Sequence, residues 1–183
     1  MAFTGIVMNP RVVVQGGAVV KDNTYKANAA GSRTAWKAGD ILTKNDNGTV
    51  EILADQNGKK PVLMALTDWE DSATPDQKNY KGDVYVPVLE LARDTVLLAQ
   101  YDVTGGATPS QALIGTKKDF SCVSGKFSVD STADRTIPPC EIVDIWANAN
   151  WFRSGDNEAG AYGLVLFKIN PAIFDEANTG ASS

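Results

Sequence analysis

Three observations predict an all-β fold: apolar and β-branched runs of about four to eight residues, turn residues between most of them, and little helical periodicity. The 183 residues, 43% hydrophobic and 21% charged, suffice for one sound core with an appendage or for two small ones. Short strands that do not alternate with helices point to a small barrel or sandwich rather than a βαβ arrangement.

The elements follow in order. Ile41-Leu42-Thr43-Lys44 and Thr49-Val50-Glu51-Ile52-Leu53 flank Asn47-Gly48. Both turn residues tolerate positive φ, which is a strong hairpin signal. Asn57-Gly58 marks the next turn and 61–66 the next strand. Further strands are expected at 84–91, 96–103, 119–123, 126–129, 140–146 and 164–169, separated mainly by Gly, Pro, Asn or Asp. Helix signals are limited to the ambiguous stretch 90–101 and to one turn at 110–114, capped by Ser110.

Residues 15–38 are rich in Gly, Ala, Asn, Ser and Thr, begin at Gly16-Gly17 and have little to bury, so they read as an extended segment ordered by a partner. Charge marks the same region. Through residue 38 there are five cations (Arg11, Lys21, Lys26, Arg33, Lys37) and one acid, Asp22, a net +4; the whole chain carries -5, which leaves -9 for the rest. A basic segment on an acidic body points to two different surroundings, because long-range fields act on association. The expected organisation is an extended N-terminal arm, 1–37, and a compact β domain, 38–183. Deleting 1–35 is expected to leave the domain folded.

The sequence has no histidine, which removes the commonest general base, the Ser-His and Cys-His pairs and the usual zinc ligands. Neither a phosphate-binding glycine loop with its Lys-Ser/Thr ending nor the dinucleotide glycine fingerprint occurs. Asp68, Glu70 and Asp71 around Trp69 are the acids from which a paired-carboxylate hydrolase could be built, but the stretch reads more simply as a solvated loop. Asn45-Asp46-Asn47-Gly48 lacks the spaced ligands and closing Glu of a calcium loop. No cofactor, metal or catalytic residue is therefore expected. No stretch reaches the roughly 18 apolar residues of a membrane helix. The start lacks a basic region followed by a long apolar one, so a soluble chain without an export signal is expected. A pI near 4.7 argues against nucleic acid as a partner.

If Ser124-Gly125 is a two-residue hairpin loop, Phe120 lies opposite Val129 and Cys122 opposite Phe127, all on one apolar face. Cys140 opens a strand that could lie beside this hairpin, so the two cysteines are either paired or buried and reduced. Of the four tryptophans, Trp146 reads as core and Trp36 as a pin between arm and body. Trp151-Phe152-Arg153, set between polar loops, is the candidate exposed contact.

Trp36-Lys37-Ala38-Gly39-Asp40-Ile41-Leu42, the Asn47-Gly48 hairpin and Ala54-Asp55 form one set of family-like features. Gly115-Thr116-Lys117-Lys118, the 122–129 hairpin, 141–145 and 163–169 form another. Together they resemble the small β-rich head decoration proteins of tailed bacteriophages, which cement the capsid from outside. The likeness covers about residues 36–170. It implies a compact domain, often a β-tulip, above a capsid-binding arm, frequently as a homotrimer at local threefold positions. On that resemblance the chain is a non-enzymatic virion protein on the outer capsid surface. Its partner is the major capsid protein lattice, and its capsid-binding residues are Arg11, Lys21, Lys26, Arg33, Trp36 and Lys37. The alternative is a virion-displayed carbohydrate-binding or host-attachment module using Trp151, Phe152 and Arg153.

Overall fold

The structure, a computed structural model, describes residues 10–27, 35–45, 47–53, 61–70, 80–81, 84–102, 107, 109–123, 126–134, 137–145 and 163–175. The first strands are β1 (Arg11–Val14), β2 (Val19–Ala27), β3 (Ala35–Trp36), β4 (Ile41–Lys44), β5 (Thr49–Ile52), β6 (Leu63–Ala65), β7 (Trp69–Glu70) and β8 (Tyr80–Lys81). They are followed by β9 (Tyr85–Glu90), β10 (Val96–Gln100), β11 (Lys117–Lys118), β12 (Phe120–Val123), β13 (Lys126–Val129), β14 (Cys140–Ile145) and β15 (Leu164–Ile169). A short helix, α1 (Pro171–Asp175), comes last. The fold is all-β, and each strand read from the sequence is present. Residues 90–101 resolve into the end of β9, a turn and β10. Gln111–Leu113 form a single 3-10 turn, for which the Ser110 side chain makes no capping bond. Asn57-Gly58 and Trp146 lie outside the described residues.

Five strands pair in a closed ring, β2-β5-β4-β6-β9 and back to β2. All contacts in it are antiparallel except β2–β5, a parallel contact of Lys26 with Thr49 and Ala27 with Val50. Alternation along the strands sends Leu42, Val50, Ile52, Leu63, Val86 and Val88 into one core. The intervening Ile41, Met64 and Leu89 enter a second core with Leu97, Val165 and Phe167. Strands buried on both faces need unbroken apolar runs, and this is why Ile41-Leu42 and Leu63-Met64-Ala65 do not alternate with polar residues.

Among the described residues between β4 and β5, Gly48 alone takes the left-handed conformation, at φ 82°. Gly48 N–H donates to Asn45 O at 3.0 Å and Asn45 N–H to Thr49 O at 2.8 Å. Asn47 acts through its side chain instead, its Oδ1 accepting from Thr49 N–H at 3.0 Å and from the Thr49 hydroxyl at 2.7 Å.

The second core lies under a five-stranded sheet, β1-β10-β15-β14-β11, and under the separate hairpin β12–β13. That hairpin has the expected register, Phe120 opposite Val129 and Cys122 opposite Phe127. Phe120 packs against Phe127 at 4.8 Å and edge-on against Phe167 at 5.5 Å between ring centres. β14 pairs with β11 and β15, not with the hairpin. Cys140 is a free, buried thiol that donates to Lys118 O at 3.2 Å, and burial pushes its ionisation well above the ordinary thiol range. The Cys122 side chain lies outside the described ones.

The expectation of an arm is corrected over residues 10–27, which are built into the body. Partner numbers add to 109 at Arg11/Leu98 and Val12/Leu97, and again at Val19/Glu90, Val20/Leu89 and Lys21/Val88. The segment is thus one antiparallel ladder against 88–98 that bends at a corner, with β1 on the sheet and β2 in the ring. Gly16-Gly17 form that corner, at φ 52° and 88°. A Cβ on Gly16 would sit 2.0 Å from Asp94 O. The buried Thr95 hydroxyl donates to Gln15 O at 2.9 Å and accepts from Ala92 N–H at 3.0 Å. A glycine pair reads as looseness in a sequence, whereas here it permits positive φ and close backbone approach.

Gly16→Ala should therefore cost about 2 to 4 kcal/mol, whereas Gly48→Ala, with nothing within 4 Å of the new Cβ, should cost only about 1 kcal/mol of left-handed strain. Urea unfolding measures both, and equal losses would eliminate the close approach as the cause. Deletion of 1–35 removes β1 and β2, so loss of the cooperative thermal transition in circular dichroism is expected in place of an intact domain.

Candidate functional site: the N-terminal margin

Of the residues expected to bind a partner, most of those described are engaged within the fold. Lys21 on β2 faces Glu90 at 3.7 Å, and Glu90 also accepts from the Tyr25 hydroxyl at 3.4 Å. Burial, with the Glu90 charge and hydrogen bond adding to it, raises the ionisation of Tyr25. Lys26 lies over the Tyr85 ring, 5.3 Å from its centre. Lys37 pairs with Asp68 at 3.0 Å. Arg11 on β1 is exposed, with no ion-pair partner among the described residues. Arg33, Trp151, Phe152 and Arg153 lie outside the described residues.

Trp36 is buried, not a surface contact. It pairs in β3 with Trp69 of β7 and stacks on that ring at 4.5 Å between centres. An aromatic pair of this kind contributes about 0.5 to 1.5 kcal/mol beyond its burial. The expected solvated loop around Trp69 is therefore corrected to a strand, because Trp69 has an apolar partner 33 residues earlier in the chain. Neither ring is open enough to serve as a sugar platform.

The residues after Trp36 form a tight turn. Asp40 N–H donates to Lys37 O at 3.0 Å, Gly39 takes φ 95°, and the Asp40 carboxylate accepts from Lys37 N–H at 2.8 Å. Asp68 holds the turn from outside, accepting from Ala38 N–H at 2.8 Å as well as from Lys37 Nζ. Partial desolvation works against ionisation of Asp68, but the Ala38 N–H and the Lys37 ammonium outweigh it and hold its carboxyl below the usual range. Asp68 is thus suited to a structural ion pair, not to donating a proton. The Glu70 side chain and Asp71 lie outside the description.

The surface that stands out is apolar. Val13, Val14, Val19 and Val20 are each 45 to 51% exposed, four of the seven large hydrophobic side chains exposed among the described residues. In the chain they flank the Gly16 corner of the bent ladder, with Arg11 before them and Lys21 after. β1 is the last described strand on its side of the sheet. Among the described residues β2 pairs with β5 at Lys26 and Ala27 alone. Exposed valines next to a sheet edge that no described strand covers set this region apart from the rest of the described surface. The cue in the sequence was Arg11-Val12-Val13-Val14 and Val19-Val20, β-branched runs on either side of a glycine pair.

No protein-family model matches the chain, and comparison with characterised proteins and with solved structures finds no match either.

Asp68→Asn should lower stability by no more than about 1 kcal/mol at neutral pH, since the pair is largely exposed. Because the folded carboxyl ionises below its unfolded value, the stabilisation is present above about pH 4 and lost as pH falls through the lower folded value. Urea midpoints of the wild type and Asp68→Asn should accordingly converge in acid.

Proposed function

We propose that this chain is a virion structural protein that attaches to the outer surface of a tailed-phage capsid and reinforces it against the pressure of packaged DNA. The observation that carries the reading is the exposure of Val13, Val14, Val19 and Val20 near Arg11, on a chain of net charge -5. The family-like features of the sequence give it direction. The partner is the major capsid protein lattice, and a homotrimer at local threefold positions is the assembly that the resemblance favours. The mechanism is addition of interface: a β body seated across subunit boundaries raises the free energy needed to separate them. The activity is mechanical rather than enzymatic.

The position of the cations alters the electrostatic side of this reading. Lys21, Lys26 and Lys37 are occupied within the chain, which leaves Arg11 as the described cation of this set open to a partner. Attachment then depends chiefly on apolar contact and less on ionic strength.

Co-sedimentation with capsids lacking the protein tests the reading. Binding is expected, with a rate that falls with salt as shallowly as one exposed cation requires. Val13→Glu with Val20→Glu should reduce the bound fraction about tenfold or more while leaving the thermal transition in place. Failure of the wild type to bind undecorated capsids, or a steep salt dependence typical of several charges, would overturn it.

A further inference from the structure

We propose that the edge of β1 that no described strand covers accepts an added strand from a partner protein: an extended apolar segment that places a carboxylate opposite Arg11. The proposal deepens the capsid reading, on which it rests only for where such a segment comes from.

The two edges of the five-stranded sheet differ. β11 is two residues long, and both are lysines, a common way of discouraging edge pairing. β1 carries three consecutive valines and one cation. Arg11 and Val12 keep regular register with Leu98 and Leu97, and an irregularity before Val14 leaves both Val13 and Val14 half exposed. At about 3.3 Å per residue β1 offers roughly 13 Å of edge, room for a strand of four or five residues. Outward-facing backbone groups supply the hydrogen bonds, and the valines give an apolar strand something to cover.

Charge decides between occupants. Pairing of β1 with β1 of a second copy would set Arg11 among valines and Gln15, with no carboxylate in the strand. Pairing of β1 with β11 of a second copy would bring Arg11 beside Lys117 and Lys118. A strand bearing a carboxylate compensates the guanidinium and covers the valines together.

The test uses the full chain, labelled for amide NMR, and two blocked five-residue peptides of alternating valine and threonine. One has a central glutamate and the other a central lysine. The glutamate peptide should slow amide exchange across Val12–Val14 and bind about two- to fivefold more tightly than the lysine peptide, the range for one exposed ion pair. Arg11→Glu should reverse the preference, and Arg11→Gln should abolish it should the first variant fold poorly. No protection of β1 by either peptide, or equal binding of both to the wild type, overturns the proposal. So does β1 protection that rises with protein concentration alone, since a second copy would then hold the edge. Peptide capture without capsid co-sedimentation keeps the strand acceptor and sinks the capsid reading. Co-sedimentation without peptide capture does the reverse.

Discussion

Residues 11–26 and 85–98 cross side by side from the five-stranded sheet into the strand ring, and the crossing closes because Gly16 has no side chain to meet Asp94. Both cores depend on this bend. β2 completes the ring through its contacts with β9 and β5, and β1 extends the sheet beside β10. Thr95 ties the corner from within, joining Gln15 on one path to Ala92 on the other. On the ring side, Ile41, Met64 and Leu89 turn away from the first core into the second, so the two share strands rather than an interface.

The legible part of the fold was local. Apolar runs, turn residues and the Asn47-Gly48 signal placed the longer strands from residue 41 onward, though not the two-residue β7, β8 and β11, and loop geometry set the 120–129 register, because each depends on neighbours a few residues away. The N-terminal strands were not legible in that way. Val12 and Val19 pair with residues of β10 and β9 far along the chain, and the composition of 15–38 resembles that of segments that bury nothing. The glycine pair was read as the start of that segment, and the close approach of Asp94 makes it a corner instead.

The contacts of the candidate cations were not legible for the same reason. Counting charge found the basic segment but not the partners of its cations, since Glu90 and Asp68 lie far away in sequence. Neutralisation at a distance turns an apparent electrostatic grip into ordinary surface pairing, and the exposed valines become the distinguishing feature. Trp36 illustrates the converse: read as a pin and, from the resemblance, as a capsid contact, it is held in the interior by Trp69.

The bent ladder also fixes an order of events during synthesis. Its partners lie about 60 to 90 residues apart, and long-range antiparallel pairing of this kind forms late. At about 5 to 20 residues per second, Arg11 leaves the ribosome roughly 4 to 17 s before Leu98 does. During that interval a valine-rich stretch stands without its native neighbour, in a chain where such stretches tend to pair with copies of themselves. Gly16-Gly17 divides the stretch into two short pieces. The residues that let the finished ladder turn its corner thus also keep the nascent chain from presenting one long sticky strand.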